Sequence, residues 1–232
     1  MRIWDVNPGY LNRQSILGEH RELHAIVSII RNNKKGYSRH PETLRWKNFG
    51  WALNQRHRLL AAEMNLRGYM DRTPVLLKTQ FQKWPEVFVD PPTTQFSILA
   101  GKYKDKEPGR IPLPKNVQQL WAQHKCSVMA RDAAEYKRIV RWAASQRTGK
   151  GINDIYQELV SLLRCSPAEG NLRNAVQHMW GYVSPYSSFA GKTIESKTTG
   201  SLLKEIQHLV FLHNIVYLKE STALGELQAW MR

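Results

Sequence analysis

Glu19 and Glu22 stand three residues apart, with Arg21 between them and His20 and His24 interleaved. On a helix, residues three and four apart share a face, so the carboxylates fall together and the imidazoles fall together. Carboxylates beside a guanidinium are equipment for acid–base work and for stabilising positive charge. The plain alternative is a solvated charged helix face. Two things weigh against it: the helix is the first in the chain, and it is flanked by apolar residues. In that setting one carboxylate becomes partly buried and its pKa rises. His20 and His24 have an i, i+4 spacing that chelates zinc. The run is nevertheless not H-E-x-x-H, because the glutamate follows the first histidine by two residues. No metal ligand is assigned from the sequence. His124, His178, His208 and His213 fall on or near helical stripes and read as core or interface residues.

The other reactive group is the start of the chain, Met1-Arg2-Ile3-Trp4. Asp5, Asn7, Pro8 and Asn12 break any apolar core of a signal peptide, so no cleaved leader is expected. An α-amine titrates at about 7.7–8.0 against about 10.4 for a lysine. Near neutral pH it is therefore in its nucleophilic form roughly hundreds of times more often.

The elements that must position these groups read as helices. Asn12 is a plausible N-cap for a first helix to about Arg31, with Ile16, Leu17, Leu23, Ile26, Val27 and Ile30 near a 3.6-residue period. A second helical region runs from about Pro41 to Arg67, with Phe49, Leu53, Leu60 and Met64 on one stripe and Gly68 as its stop. Arg56 and Arg58 are read as leaving that stripe. Residues 69–115 are the least regular, with seven of the 11 prolines and with aromatics (Phe81, Trp84, Phe88, Phe96, Tyr103) alternating with lysines. Val87-Phe88-Val89 is a candidate short strand with no sheet to hold it. Further helices are expected at about Asn116–Met129, from Asp132 to about Ser145, and at 152–164. Ser166-Pro167-Ala168-Glu169 reads as a capping box opening another. A Ser-, Gly- and Thr-rich loop at 184–200 precedes a last long helix, about Ser201–Glu220. The expected class is all-α, in two helical parts joined through the proline-rich stretch.

The 232 residues carry a net charge of +15, and 42% are hydrophobic. The chain can bury a core and is not a disordered polymer. The basic excess favours a polyanionic partner through attraction and counterion release. No apolar run reaches the ~20 residues a membrane span needs. Cys126 and Cys165 form no CxxC and read as free thiols in a reducing cytoplasm. Gly191-Lys192-Thr193 imitates the end of a phosphate-binding loop, but Tyr186 occupies the position where the pattern needs glycine, and the motif is rejected.

Met1-Arg2-Ile3, Gln14 and the run Glu19-His20-Arg21-Glu22-Leu23 together resemble the phage-type pyrimidine-dimer DNA glycosylases of the endonuclease V type. The run Leu53-x-x-Arg56-x-x-x-Leu60-x-Ala62-Glu63-x-x-x-Arg67-Gly68-Tyr69 looks like that family's second long helix. Bacterial relatives are also similar at Tyr10-Leu11 and at Gly36-Tyr37-x-x-His40-Pro41. The resemblance covers residues 1–75 well. It implies that the amine of Met1 is the nucleophile, that Glu22 is the catalytic carboxylate, and that Arg2, Gln14 and Arg21 contact DNA. The sequence departs from the phage pattern in keeping a bulky Arg2 after Met1, in Ala25 three residues after Glu22, and in Ser15. With Arg2 in place, Met1 is expected to be retained and its own amine to serve.

Arg13, Lys34, Lys35, Tyr37, Arg39, His40, Arg56 and Arg58 complete the expected DNA-contacting set. Tyr37, Trp46 and the aromatics of 81–103 are candidate wedges for base flipping, though each alone reads more readily as core. No metal and no small-molecule cofactor are expected. The partner is damaged double-stranded DNA, not a membrane, and the expected location is the cytoplasm of a bacterium, at the nucleoid.

Leu120-Trp121-Ala122-Gln123-His124-Lys125, Met129-Ala130-Arg131 and Asn174-Ala175-Val176-Gln177-His178-Met179-x-Gly181-Tyr182 look like the YbgA-like helical domain. The expected organisation is a glycosylase-like catalytic domain at 1–111, including the proline-rich region, followed by a YbgA-like accessory domain at 112–232. Two other readings stay open at this point. One is a non-catalytic nucleic-acid-binding protein on the same scaffold. The other is a nucleobase- or RNA-modifying enzyme with its chemistry around His124, Lys125 and His178.

Overall fold

The computed structural model describes residues 1–75, 77, 81–146, 151–187 and 195–231. Among these residues the regular structure is helical and there is no strand, which bears out the all-α class. The chain divides into two compact units, Met1–Gly109 and Arg110–Arg232.

The first unit contains α1 (Arg13–Arg31), α2 (Pro41–Trp46), α3 (Gly50–Leu66) and α4 (Pro92–Lys102), with a 3₁₀ turn at Pro8–Tyr10. Asn12 caps α1 by accepting a hydrogen bond from the Ser15 amide at 2.9 Å. Ile16, Leu23, Ile26 and Val27 face the core, and α1 packs on α2 and α3. The expected single helix from Pro41 to Arg67 is instead two, broken at residues 47–49, with the amide of Phe49 turning back to the Trp46 carbonyl. α3 ends as a glycine stop should: Gly68 has φ +82, and the Tyr69 amide bonds to the Met64 carbonyl at 2.9 Å. α4 lies in the stretch read as irregular, where Pro92 starts a helix rather than breaking one. Val87–Val89 is not a strand. Gly109 closes the unit against the backbone of Gly9 and Tyr10, so tightly that a Cβ would collide with it.

The second unit contains α5 (Val117–Met129), α6 (Ala133–Ser145), α7 (Ile152–Leu163), α8 (Glu169–Val183), α9 (Thr199–Leu212), α10 (Val216–Lys219) and α11 (Ala223–Glu226). α5 packs against α6, α7 and α8, and α8 packs against α9. Leu120, Val128, Ile155, Leu159, Val176, Met179, Leu203 and Ile206 form its apolar core. Asp132 caps α6 by accepting from the amides of Ala134 and Glu135. Ser166 does not cap α8: the helix begins after Ala168, which offers no side-chain cap. The expected last helix to Glu220 stops at Leu212, because Asn214 takes φ +49 and turns the chain into α10. Gly191-Lys192-Thr193 lies outside the described residues.

Candidate active site at the start of the chain

The carboxylates of α1 tie down the first residues of the chain. In an extended segment, alternate amides point the same way. The amides of Arg2 and Trp4 accordingly both face α1, where the i, i+3 pair Glu22 and Glu19 meets them. Glu22 Oε2 accepts from the Arg2 amide. Glu19 Oε1 accepts from the Trp4 amide at 3.2 Å.

The two glutamates live in different surroundings. Glu19 is 2% exposed and takes a bidentate grip from Arg56, at 2.7 Å from Nε and 2.8 Å from Nη2. Burial pushes its carboxyl up to about 7, against the pull of the Arg56 guanidinium. Glu22 is only half-buried and opens to a cleft of about 200 Å³. Arg2, Trp4, Gln14, Glu19, Glu22, Lys102, Tyr103 and Lys106 are among the residues lining that cleft. The Arg2 guanidinium pairs with Asp90 at 2.6 Å and lies over the Trp4 ring at 4.8 Å.

The terminal amine borders a second depression. Met1 N lies 3.5 Å from His40 Nε2. His40 caps α2 by accepting the Glu42 amide on Nδ1 at 3.2 Å. That bond assigns the ring hydrogen of the neutral form to Nε2, the nitrogen that faces the amine. His40 also lines an open groove of about 620 Å³ with Lys35, Tyr37, Ser38 and Arg39. Tyr37 stands 72% exposed, at φ +57.

Of the expected site residues, Arg2, Gln14 and Glu22 share the cleft, and Lys35, Tyr37, Arg39 and His40 share the groove. Arg13, Arg21, Lys34 and Arg58 are exposed on or just after α1 and on α3, and they are not among the lining residues of either depression. Arg56 needs correction. It is 3% exposed, grips Glu19, and donates to the Val6 carbonyl at 2.9 Å, so it is an internal counter-ion and not a phosphate contact. Trp46 is 1% exposed with its indole N–H on Glu42, and is no wedge. Lys102 and Lys106 were missed as site residues, and Tyr103, read only as one of the candidate wedges of 81–103, instead accepts from the Asn12 amide at 2.9 Å and lines the cleft. Their only sequence signal was the alternation of aromatic and lysine residues, which does not say what they face.

His20 and His24 are not isolated either. His57 of α3 and Asp71 join them: His20 Nε2 is 3.3 Å from His24 Nε2 and 3.2 Å from Asp71 Oδ1, and His57 Nε2 is 3.3 Å from Asp71 Oδ2. Burial pushes the His57 imidazole down to about 4 and lowers that of His24. The spacing of His20 and His24 alone could not reveal the other two donors.

Of the three residues named for the alternative chemistry in the second unit, His124 is closed off from solvent and His178 is exposed. His124 is fully buried, its imidazole pushed down to about 3 by burial and by Arg131, with Thr222 Oγ1 3.4 Å away. Lys125 stands over the Tyr217 ring, and His178 packs edge-on against Tyr182.

The first unit is thus helical, with cationic depressions beside a chain terminus and a half-buried carboxylate next to it. Residues 1–77 match the family model described as pyrimidine dimer DNA glycosylase. The match spans α1 to α3, a third of the chain, and stops short of Lys102, Tyr103 and Lys106. No curated protein and no solved structure matches the chain. Among the described residues, no helix is long and apolar enough to cross a membrane.

Proposed function

We propose that the first unit is a DNA glycosylase with associated abasic-site lyase activity on damaged duplex DNA, with pyrimidine dimers as the lesion class. The observation that carries this reading is the placement of the chain start. Glu22 holds the Arg2 amide at the cleft, and the adjoining Met1 amine stands against His40 at the edge of the groove.

The chemistry follows from these groups. The free amine of Met1 attacks the sugar C1′, forming an N–C1′ bond as the glycosidic bond breaks. The base leaves with the bonding pair and takes up a proton. The Glu22 carboxylate balances the positive charge that builds on the sugar and accepts a proton from the attacking amine. Opening of the C1′–O4′ bond gives an iminium, with O4′ taking a proton. The iminium acidifies C2′, whose proton is removed as the C3′–O bond breaks and the 3′ phosphate departs. Water then releases the sugar aldehyde and restores the amine. His40, with its hydrogen on Nε2, donates to a neutral amine and holds the terminus in position.

Arg2, Gln14, Lys102 and Lys106 line the cleft and are the proposed contacts nearest the chemistry. Lys35 and Arg39 flank the exposed Tyr37 ring in the groove, an arrangement suited to phosphates on either side of an unstacked base. Arg13, Arg21, Lys34 and Arg58 extend the basic surface. The second unit, with its YbgA-like sequence runs, is an accessory helical domain in this reading, and the site of action is the bacterial nucleoid in the cytoplasm.

The test is an excision assay over duplexes carrying different single lesions, run on the wild-type chain and Glu22→Gln. The expected result is excision by the wild type and a loss of about 10²–10⁴-fold in Glu22→Gln, with DNA affinity kept. Full activity in Glu22→Gln overturns its role. Salt-sensitive DNA binding with no excision or abasic-site cleavage on any duplex overturns the enzyme reading in favour of a binding protein.

A further inference from the structure

We propose that His20, His24, His57 and Asp71 form a structural zinc site that pins α1 to α3 and to the chain leaving α3. The proposal goes beyond the glycosylase reading and does not rest on it.

The donor geometry carries it. One ligand atom from each of the four residues can be chosen so that all lie within 4.8 Å of one another. Zinc holds imidazole nitrogen at about 2.0–2.1 Å and carboxylate oxygen at about 2.0–2.2 Å, which puts neighbouring tetrahedral ligands about 3.3–3.5 Å apart. Three close pairs, at 3.3, 3.2 and 3.3 Å, stand near that edge length, the two to Asp71 being made through Oδ1 to His20 and through Oδ2 to His57. Three nitrogens and one oxygen make a borderline donor set that suits zinc better than calcium or magnesium. Four protein ligands close the coordination shell, as in structural rather than catalytic sites.

His24 Nε2 meets the Thr73 hydroxyl at 3.1 Å, but without a cation the rest of the cluster is not fully satisfied. His20 Nε2 faces both His24 Nε2 and Asp71 Oδ1, and a single ring hydrogen serves only one of them. His57 is 5% exposed, and its Nε2 has no hydrogen-bond partner among the described residues, although it points into the cluster. Such an orphaned nitrogen calls for a ligand. The outer shell is in place too: Thr73 donates to Asp71 Oδ1 from its amide at 3.0 Å and from its hydroxyl at 2.8 Å, fixing the carboxylate.

The position gives the site its purpose. His20 and His24 lie about 100–140° around α1 from Glu19, on a different side from the cleft carboxylates. None of the four donors is among the residues lining the cleft. A cation there fixes the roll of α1 from the far side and so the aim of Glu22.

The test uses the full chain and zinc alone. The protein is purified, dialysed against metal-free buffer and assayed for metal by mass spectrometry. It is then stripped with chelator and titrated with Zn²⁺, following Tm, and separately with Co²⁺, following visible absorption. The expected results are one tightly held zinc per chain, a Tm that rises with zinc, and the intense absorption of tetrahedral cobalt. Loss of an outer-shell partner typically costs about 10–100-fold in affinity, so loss of a ligand in His24→Gln or His57→Asn should cost at least about 100-fold. His178→Gln, in the second unit, should leave zinc affinity unchanged. Zinc that dialyses away with no change in Tm overturns the proposal, as does affinity unaltered in both ligand variants or weakened equally by His178→Gln. Glu22→Gln should keep its zinc while losing excision, so failure of the metal site and failure of the glycosylase reading are separately visible.

Discussion

Residues 1–109 contain 18 Lys and Arg against 10 Asp and Glu, and residues 110–232 contain 16 against 9. The two units thus share the basic excess almost equally, so net charge alone does not locate an interface. What differs is where charge is placed. Among the described residues, the first unit buries Glu19, Glu42, Arg45, Arg56, His57 and Glu63, whereas the second buries His124, Arg131 and Glu226. The second unit builds its core by packing helices, with a buried ion pair between Arg131 and Glu226 at 2.9 Å. The first uses ionic and hydrogen-bonded contacts to fasten irregular chain to helices. Arg56 and Glu19 hold residues 4 and 6. Asp5 joins Arg45 and Gln95, and Arg45 reaches the Val87 carbonyl. Arg67 pairs with Glu63 and reaches the carbonyls of Pro8, Gly9 and Leu11. Each buried pair costs desolvation that helix packing would avoid. The return is a first segment of chain held in one place, as the proposed amine nucleophile requires.

That contrast can be broken most forcefully at Arg56. Arg56→Ala leaves Glu19 buried without its counter-charge and should destabilise the first unit by about 3–5 kcal/mol. Amide exchange read separately on α1 and α8 should show the loss on α1 and unchanged protection on α8. Equal loss in both would mean that the two units do not unfold independently. The mirror change, Arg131→Ala, removes the partner of Glu226 and the donors to the carbonyls of Leu163 and Cys165 at the end of α7. It should cost roughly 3 kcal/mol, confined to the second unit.

A pH titration sharpens the comparison next. His124 is a base whose folded value lies at about 3, below its ordinary 6.5. Between those values the unfolded chain binds the extra proton, so the stability contributed by neutral His124 is fully present above 6.5 and is lost as pH falls toward 3. The slope from this residue approaches about 1.4 kcal/mol per pH unit. Urea unfolding of the second unit should show this slope in the wild type and lose it in His124→Asn. The smallest effect belongs to the groove: Lys35→Ala should weaken binding to all duplexes alike and lower the salt dependence of log K by about 1 per phosphate contact removed.

The sequence made some of this legible and concealed the rest for physical reasons. α1 was readable because Asn12, a clean apolar period and the polar turn at 32–36 agree with one another. α4 was not, because Pro91-Pro92 reads as a breaker until Pro92 is seen at a helix start, where its missing N–H costs nothing. The break at 47–49 and the stop at Asn214 hang on single backbone turns inside continuous apolar patterns. Arg56 is the instructive case. It falls three residues after Leu53 and four before Leu60, on the buried stripe itself, so its spacing argued for an internal partner rather than for a phosphate. The cluster of His20, His24, His57 and Asp71 and the cleft residues Lys102, Tyr103 and Lys106 join positions far apart in the chain, and local spacing carries no trace of such meetings.

The most direct measurement traps the covalent intermediate and finds its atom. The full chain is incubated with abasic-site duplex and borohydride, the adduct is digested, and the modified peptide is sequenced by mass spectrometry. The account predicts a sugar remnant on the α-amine of Met1, and no trapping once that amine is acetylated. A remnant on a lysine, or undiminished trapping with a blocked amine, contradicts it.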